Sequence, residues 1–538
     1  MPDRNAKEGA LFIGGGRQWL WTLGVWLAIA VFYLATARPY FGPNSDAVVY
    51  FAGARSFAEG QGYRFTIFPG MPPIGLYPPG LSLMFTPIIW LFPDADSQAV
   101  GCLILLMVVT FLGVRVALDI LCRLGVPDGL AALATLSLAM SPHWFLSIAS
   151  LGSDTPFAVL AWVGGWWWLR NQQSMTLRGL VPVLVILFLA QMVRSAGLAL
   201  YVGLIAAEVF LNRRRALWSV PLIGMSYVAA GLVRKMLIPP GGVGYLAEWG
   251  RMIQDKGGLA WYLHHVMGSV WSFLSGNQLH ELLWPWMARL PQIAARYSAV
   301  ASLVIEIALI GVWIGLLALM AYPVVRRWRM SKENPGFDRR DWGSDPGWNF
   351  ILILGATIGM LSVVPNSPHH FPRYMLWTSP FFLAALWNGI STAVPKERLR
   401  AVTRGAGLFL CLVIASNGWV SYSILRKAIA DHALKEGQAF ATEIRPTFTQ
   451  EDTVAASPMV AWIHFGEILK RPLFGNFYNL DLSTTPPGPW GERAKNCTFV
   501  ITHSMDNVDG LASASGWKAV ARSTGGRYVL YRTTTQRQ

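Results

Sequence analysis

The residues most able to do chemistry in this chain are few and scattered. Asp46 stands in Asn44-Ser45-Asp46-Ala47-Val48-Val49-Tyr50, and Asp154 in Gly152-Ser153-Asp154-Thr155-Pro156. Arg194 interrupts an apolar stretch from Leu180 to Leu211. Arg234-Lys235 end another, and His369, His370 and Arg373 stand between two more. One carboxylate with several cations is a limited toolkit. The carboxylate can take a proton from an attacking hydroxyl, and the cations can neutralise a departing phosphate, which leaves without a general acid. Arginine suits the second task because its planar fork meets two phosphate oxygens at once. Glycoside hydrolysis, by contrast, needs two carboxylates flanking the bond. The set fits transfer of a sugar from a lipid phosphate to a hydroxyl.

Each residue also has an ordinary reading. Asp46 and Asp154 sit where helices start, and an acidic residue is favoured there by the helix dipole. Arg194 can be a snorkelling charge at a hairpin turn. His369 and His370 can be loop histidines, since two adjacent residues do not readily chelate one metal. Arg234, Lys235 and Arg373 can anchor helix ends at an interface. What argues for a site is that all of them map to one rim.

The elements that must position them follow from composition. The chain has 538 residues, 53% hydrophobic and only 14% charged, where a soluble domain carries about 25% charged residues. That excludes a soluble enzyme, a disordered chain and a disulfide scaffold. Lys+Arg 44 against Asp+Glu 29 gives +15. On so apolar a background these charges signal topology rather than nucleic acid. The four cysteines, Cys102, Cys122, Cys411 and Cys497, have no metal-ligand spacing. The residues call for no cofactor and name no metal ligand; a divalent cation is left open.

The apolar runs are Trp19–Ala37, Ala99–Val114, Gly129–Ile148, Pro156–Leu169, Leu180–Val193, Ala196–Leu211, Leu217–Val233, Ala299–Val325, Phe350–Val364, Tyr374–Ala393 and Gly405–Ile424. They predict an α-helical polytopic membrane protein of about eleven spans, the first an uncleaved signal anchor. Leu81–Phe92 is short, follows Pro78-Pro79, and reads as re-entrant or interfacial. With the N-terminus cytoplasmic, every short inner loop is then basic: Arg115 and Arg123, Arg170 and Arg178, Arg213 to Arg215, the Arg326–Arg340 group, and Lys396 to Arg404. Counting Leu81–Phe92 as a span would put these clusters outside, against the positive-inside rule.

Three stretches then lie outside: a first loop, 38–98, a second large loop, 237–298, and a tail. The expected division is a membrane module over 1–425 and a small α/β domain over 426–538 on the outer, periplasmic side of an inner (plasma) membrane. In the tail, Thr453–Ser457, Thr498–Thr502, Trp517–Arg522 and Tyr528–Arg532 read as strands. Ala428–Ile444 and Val460–Leu469 read as helices. In the second loop, Trp249, Trp261, Tyr262 and Trp271 suit either a cover over the acceptor or an amphipathic helix lying on the membrane. The helix after Asp46 should run to about Glu59, with Asp46, Tyr50, Gly53 and Phe57 on one face.

Ser45-Asp46, Tyr50-Phe51-Ala52, Phe57-Ala58-Glu59-Gly60-Gln61-Gly62-Tyr63 and then Tyr77-Pro78-Pro79-Gly80-Leu81 resemble the first outer loop of GT-C glycosyltransferases. The aminoarabinose-transferase and protein O-mannosyltransferase-like branch is the nearest in look. The placement of Ser153-Asp154-Thr155-Pro156, Arg194-Ser195-Ala196-Gly197, and Arg373-Tyr374 before Pro380 is also similar. The resemblance covers the membrane part, from about Trp19 to Ile424. It implies a polyprenyl-phosphate-sugar donor, an acceptor that is a glycolipid, polysaccharide or protein, and Asp46 as catalytic base. Arg194, Arg373, Arg234 and Lys235 become candidates for the donor phosphate, and Asp154, Tyr50, Tyr77, His369 and His370 for support. The chain departs in having Ala47 where many relatives have a second acidic residue.

Two other classes compete. A transporter or lipid flippase would place ionisable groups near the midplane and show internal repeats; neither is seen here. A ligase joining whole polysaccharides to lipid would use outer arginine and His369 or His370 in place of the aspartate base.

Overall fold

The computed structural model describes residues 16–39, 46–66, 71–171, 175–211, 213–241, 250, 253–254, 257–274, 293–333, 348–363, 373, 375–431, 434–457, 469, 473–474, 496–504, 512 and 516–533. The helices are α1 (Gly16–Thr36), α2 (Asp46–Ala58), α3 (Gly80–Leu91), α4 (Ala95–Arg123), α5 (Asp128–Ala139), α6 (Pro142–Ala149), α7 (Asp154–Asn171) and α8 (Leu177–Val193). They continue as α9 (Gly197–Leu211), α10 (Arg213–Leu237), α11 (Gly258–Leu274), α12 (Ala299–Glu333), α13 (Trp348–Val363), α14 (Ser379–Ala393), α15 (Lys396–Asp431) and α16 (Leu434–Ile444).

Five of the described helices are long and apolar enough to cross a membrane by length and composition: α1, α4, α10, α12 and α15. The count becomes six if a bent pair, α5 and α6, is one span. The outward faces agree. Leu20, Leu27, Val31 and Leu34 lie open along α1, and Val300, Leu303, Val304 and Ile307 along α12. Apolar stripes of that extent belong against lipid, not water. The chain is a multi-pass membrane protein.

Each apolar run is helical along most of its length, but one detail differs from expectation. The run Gly129–Ile148 is not straight: it bends by 50° between α5 and α6. The cause is local. Ser141 caps α6, its Oγ accepting from the Trp144 amide, and Pro142 takes the first helical position, where its missing N–H costs nothing. The segment 81–92 does form a short helix, α3, and it packs against α2.

Helix α7 shows how sequence dictates packing here. Successive residues on a helix point about 100° apart, so Trp166, Trp167 and Trp168 face three different neighbours. Trp166 donates to Asp119 on α4, Trp167 to the Gly179 carbonyl on α8, and Trp168 to Glu208 on α9 at 2.6 Å. Glu208 also takes two bonds from Arg215, at 2.7 and 2.6 Å, and one from Ser219 at 3.2 Å. With side-chain exposures of 1% for Glu208 and 12% for Arg215, this is a closed ion pair with its lone pairs filled.

The tail forms a five-stranded mixed sheet in the order β2-β1-β3-β5-β4. Its strands are β1 (Val454–Ala456), β2 (Leu473–Phe474), β3 (Phe499–His503), β4 (Lys518–Arg522) and β5 (Tyr528–Arg532). Strands β1, β2 and β3 are parallel, and β3, β5 and β4 antiparallel. All four expected strands are present; β2 was not expected. The expected helix Ala428–Ile444 is helical at every described residue, 428–431 in α15 and 434–444 in α16. The expected helix Val460–Leu469 lies, except for Leu469, outside the described residues. On the sheet, Glu436 of α16 accepts from Ser523 Oγ at 2.5 Å and the Arg527 amide at 3.3 Å.

Candidate functional site

Helix α2 begins at Asp46, and Tyr50 follows one turn later. The bulk missing at Gly53 decides what lies over this helix. A Cβ there would come within 2.3 Å of the Tyr63 ring, which stacks on Phe57 at 5.3 Å between centroids. The chain reaches Tyr63 through Gly60 and Gly62, both at positive φ (71° and 76°), a conformation glycine adopts without strain. Tyr63 Oη then donates to the Pro78 carbonyl at 3.3 Å. This holds Tyr77-Pro78-Pro79-Gly80 across the start of α2, so that Tyr77 Oη donates to Asp46 Oδ1 at 3.1 Å. From the other side, Arg234 donates to the Gly75 and Leu76 carbonyls at 2.7 and 2.9 Å and to Ser195 Oγ at 3.4 Å. Gly80 lets this segment close on the end of α8; a Cβ there would meet the Met192 carbonyl at 2.6 Å.

Asp154 arrives by a sharper route. Between α6 and α7 the fully buried Leu151 has φ 52°, a region rarely used by bulky residues. The turn sets Asp154 at the start of α7, with its side chain 3% exposed. Asp154 Oδ1 pairs with Arg194 Nη1 at 2.5 Å, and Oδ2 with Arg373 Nε at 2.5 Å. Arg373 Nη2 in turn reaches Asp46 Oδ2 at 2.8 Å. Arg194 Nη1 and Tyr50 Oη both donate to Ser153 Oγ, at 2.8 and 2.9 Å.

The result is one continuous chain, Asp46–Arg373–Asp154–Arg194, drawn from four distant segments. Its inner half is sealed, with Arg194 8% exposed. Its outer half opens: Asp46 is 26% exposed and Arg373 30%. Burial pushes the Asp46 carboxyl up, but the charges of Arg373 and Arg194 and the bonds from Arg373 and Tyr77 outweigh it. They hold Asp46 below the ordinary carboxylate range. The Tyr50 phenol is raised, first by burial and then by the Asp46 charge.

The other candidates fall differently. Lys235 is exposed next to Arg234. His369, His370 and Tyr374 lie outside the described residues, as do Ser45 and Trp249. His143, at the start of α6, is a group the sequence reading passed over; it lies within electrostatic reach of Asp154 and Arg373. Its signal was the Ser141-Pro142 break inside an apolar run. Among the described residues, no group of three or more His, Cys, Asp or Glu is gathered for a metal. Beside the cluster, an apolar groove of about 420 Å³ runs between α3, α8 and α10, lined by Gly80, Met84, Phe188, Met192, Val193 and Val233.

No protein-family profile matches the chain, and no curated protein does. Solved structures do. The oligosaccharyltransferase of Archaeoglobus fulgidus, tethered with an acceptor peptide, is 13% identical over 96% of this chain and 74% of its own, with a TM-score of 0.51. The archaeal oligosaccharyltransferase AglB from the same organism, in complex with an inhibitory peptide and a dolichol-phosphate, is 11% identical over 97% and 75%, with a TM-score of 0.50. ArnT from Cupriavidus metallidurans, bound to undecaprenyl phosphate, is 15% identical over 96% and 98%, with a TM-score of 0.48. At these identities the likeness is one of fold, and the chain has the GT-C glycosyltransferase fold.

Proposed function

We propose that this protein is a membrane glycosyltransferase that moves a sugar from a polyprenyl-phosphate donor to an acceptor hydroxyl at the outer face. The observation that carries the reading is the half-open chain Asp46–Arg373–Asp154–Arg194. A purely structural pairing would close both ends, whereas this one leaves a carboxylate and a guanidinium facing outward beside an apolar groove. The groove suits the lipid, and Arg373 suits its phosphate.

In the step proposed, the acceptor oxygen forms a bond to the anomeric carbon as the bond from that carbon to the phosphate oxygen breaks. The electron pair leaves with polyprenyl phosphate, and the acceptor proton passes to Asp46. A carboxylate held down by an arginine is a weak base. A phosphate that draws the Nη2 edge of Arg373 to itself removes that restraint, so the donor itself makes Asp46 more basic. Asp154, fixed by Arg194, keeps Arg373 in place through Nε during the exchange. Arg194 therefore acts from behind on Arg373, and Arg234 by bracing the segment that carries Tyr77. Lys235 remains a candidate for the phosphate. The chain would lie with about eleven spans, its N-terminus cytoplasmic and its tail domain outside.

The test is mass spectrometry of envelope glycolipids and glycans from cells with and without the gene. A sugar-modified product should vanish on deletion. Asp46→Asn at equal membrane abundance should leave it reduced by about 10² to 10⁴. Wild-type-like product from that variant would sink the assignment.

A further inference from the structure

The outer end of α10 carries two tasks on adjacent positions. Val233 and Leu237 line the apolar groove, which Phe188, Met192 and Val193 of α8 line as well. Arg234 and Ile238, each one position further on, hold the first outer loop. Arg234 donates to the Gly75 and Leu76 carbonyls at 2.7 and 2.9 Å. Ile238 packs on the cluster of Val49, Tyr63 and Ile74, which Tyr77 also joins. Pro239 follows, its Cγ 3.1 Å from where a Cβ on Gly62 would stand. Tyr77, next to Leu76, is the residue that donates to Asp46. One helix end therefore touches both the groove and the hydrogen-bond partner of the carboxylate.

How that end can move follows from where α10 is pinned. Ser226 Oγ donates to the Leu184 carbonyl of α8 at 2.9 Å and lies 3.2 Å from Tyr201 Oη of α9. Beyond Ser226 the groove opens between α8 and α10. The outward side of this arm is bare: Val228, Leu232 and Met236 are exposed, and a Cβ on Gly231 would meet nothing within 4 Å. Helix α8 has no such freedom, since it packs on α7 and Gly80 closes on its Met192 carbonyl. A chain entering the groove therefore displaces the side that yields, α10. From Ser226 to Arg234 the arm is about 12 Å long, so a tilt of about 5° carries its end about 1 Å. That parts hydrogen bonds of 2.7 and 2.9 Å. We infer that a hydrocarbon chain seated in this groove shifts the outer arm of α10 and releases Tyr77 from Asp46, so that the lipid part of the donor readies the base independently of its phosphate. The inference rests on the groove being the donor's lipid site, as proposed above.

Hydrogen–deuterium exchange of the full chain in detergent tests this, read at the Ile74 amide, which donates to the Tyr63 carbonyl at 2.9 Å inside the cluster that Ile238 would leave. Two probes separate chain from charge: undecaprenol fills the groove without an anion, and inorganic phosphate brings the anion without a chain. Undecaprenol should speed exchange by about fivefold, the scale of one modest hydrogen bond, and inorganic phosphate should leave it unchanged. Arg234→Gln should exchange fast with no probe and gain little from undecaprenol. Leu189→Trp, which fills the groove from the exposed edge of α8, should erase the response. Exchange unchanged or slowed by undecaprenol would overturn the proposal. So would equal acceleration by inorganic phosphate, or a full response in either variant. None of these readouts depends on turnover, so the inference can fail while Asp46→Asn still loses transfer. Failure of the transfer reading would show in that variant instead.

Discussion

Two carboxylate–arginine groups in this molecule invite comparison. Glu208–Arg215 joins residues seven apart in sequence, is closed by Trp168 and Ser219, and leaves almost nothing open. Asp46–Arg373–Asp154 joins residues 327 and 219 apart, and its outer pair is about a quarter to a third exposed. Both obey the same electrostatics, but their surroundings divide the work. In the closed pair every lone pair has a fixed partner, so ionisation is locked into the fold. In the open one, a guanidinium shared between two carboxylates can trade one of them for an incoming anion. Exposure, not charge count, separates a brace from a site.

That contrast can be broken by substitution. The largest expected effect is on stability at the closed pair. Glu208→Ala strands Arg215 in an apolar setting and should lower unfolding free energy by about 3–5 kcal/mol, read from detergent-solubilised denaturation. The paired change Glu208→Gln with Arg215→Met should recover much of it. Neither should alter the rate per folded molecule, and a rate loss there would erase the distinction. Next in size, Arg373→Lys should cut transfer by about a hundredfold, because an ammonium cannot bridge Asp46 and Asp154 as a fork does. Its thermal midpoint should move little. Smaller again, Ser153→Ala removes the oxygen that receives both Arg194 and Tyr50. It should lower transfer by about fivefold, the worth of one modest hydrogen bond.

The smallest effect belongs to the tail. Burial raises the Glu436 carboxyl, yet bonds from Ser523 and the Arg527 and Gly525 backbone, with the Arg527 charge, bring it below its ordinary value. A depressed carboxylate stabilises the fold above its unfolded pKa, and the benefit is lost as pH falls through the folded one. Glu436→Gln should therefore cost about 1 kcal/mol at neutral pH. The gap between variant and parent should close in acid, below about pH 4. A gap that persists there would show packing, not charge, at work.

Much of this could be read in the sequence, and what could not has a physical reason. Asp46, Asp154, Arg194 and Arg373 stood out because each charge sat at the edge of an apolar run. Their partners did not, because joining Asp46 to Arg373 requires knowing how helices pack across 327 positions. Arg194 looked like an outward-facing phosphate contact. In the fold it is sealed behind Asp154, since the turn at Leu151 brings that carboxylate over it. The bend at Ser141-Pro142 was written in the residue types but hidden by the uniform apolarity around it. Strand β2, two residues long, pairs along the edge of β1, a contact that no local residue pattern announces.

The outer cluster holds two carboxylates and two guanidiniums, so at rest it is electrically balanced. Under the proposed chemistry the donor enters as a phosphodiester with a single negative charge and leaves as a monoester able to carry a second. Asp46 meanwhile keeps the acceptor's proton and no longer competes for Arg373. The product is thus gripped hardest at the moment it forms. Loss of the proton to the outer medium restores the Asp46 charge, which reclaims Arg373 and displaces the phosphate. Deprotonation and product escape then become one coupled event, a ratchet whose turnover slows in an acidic exterior.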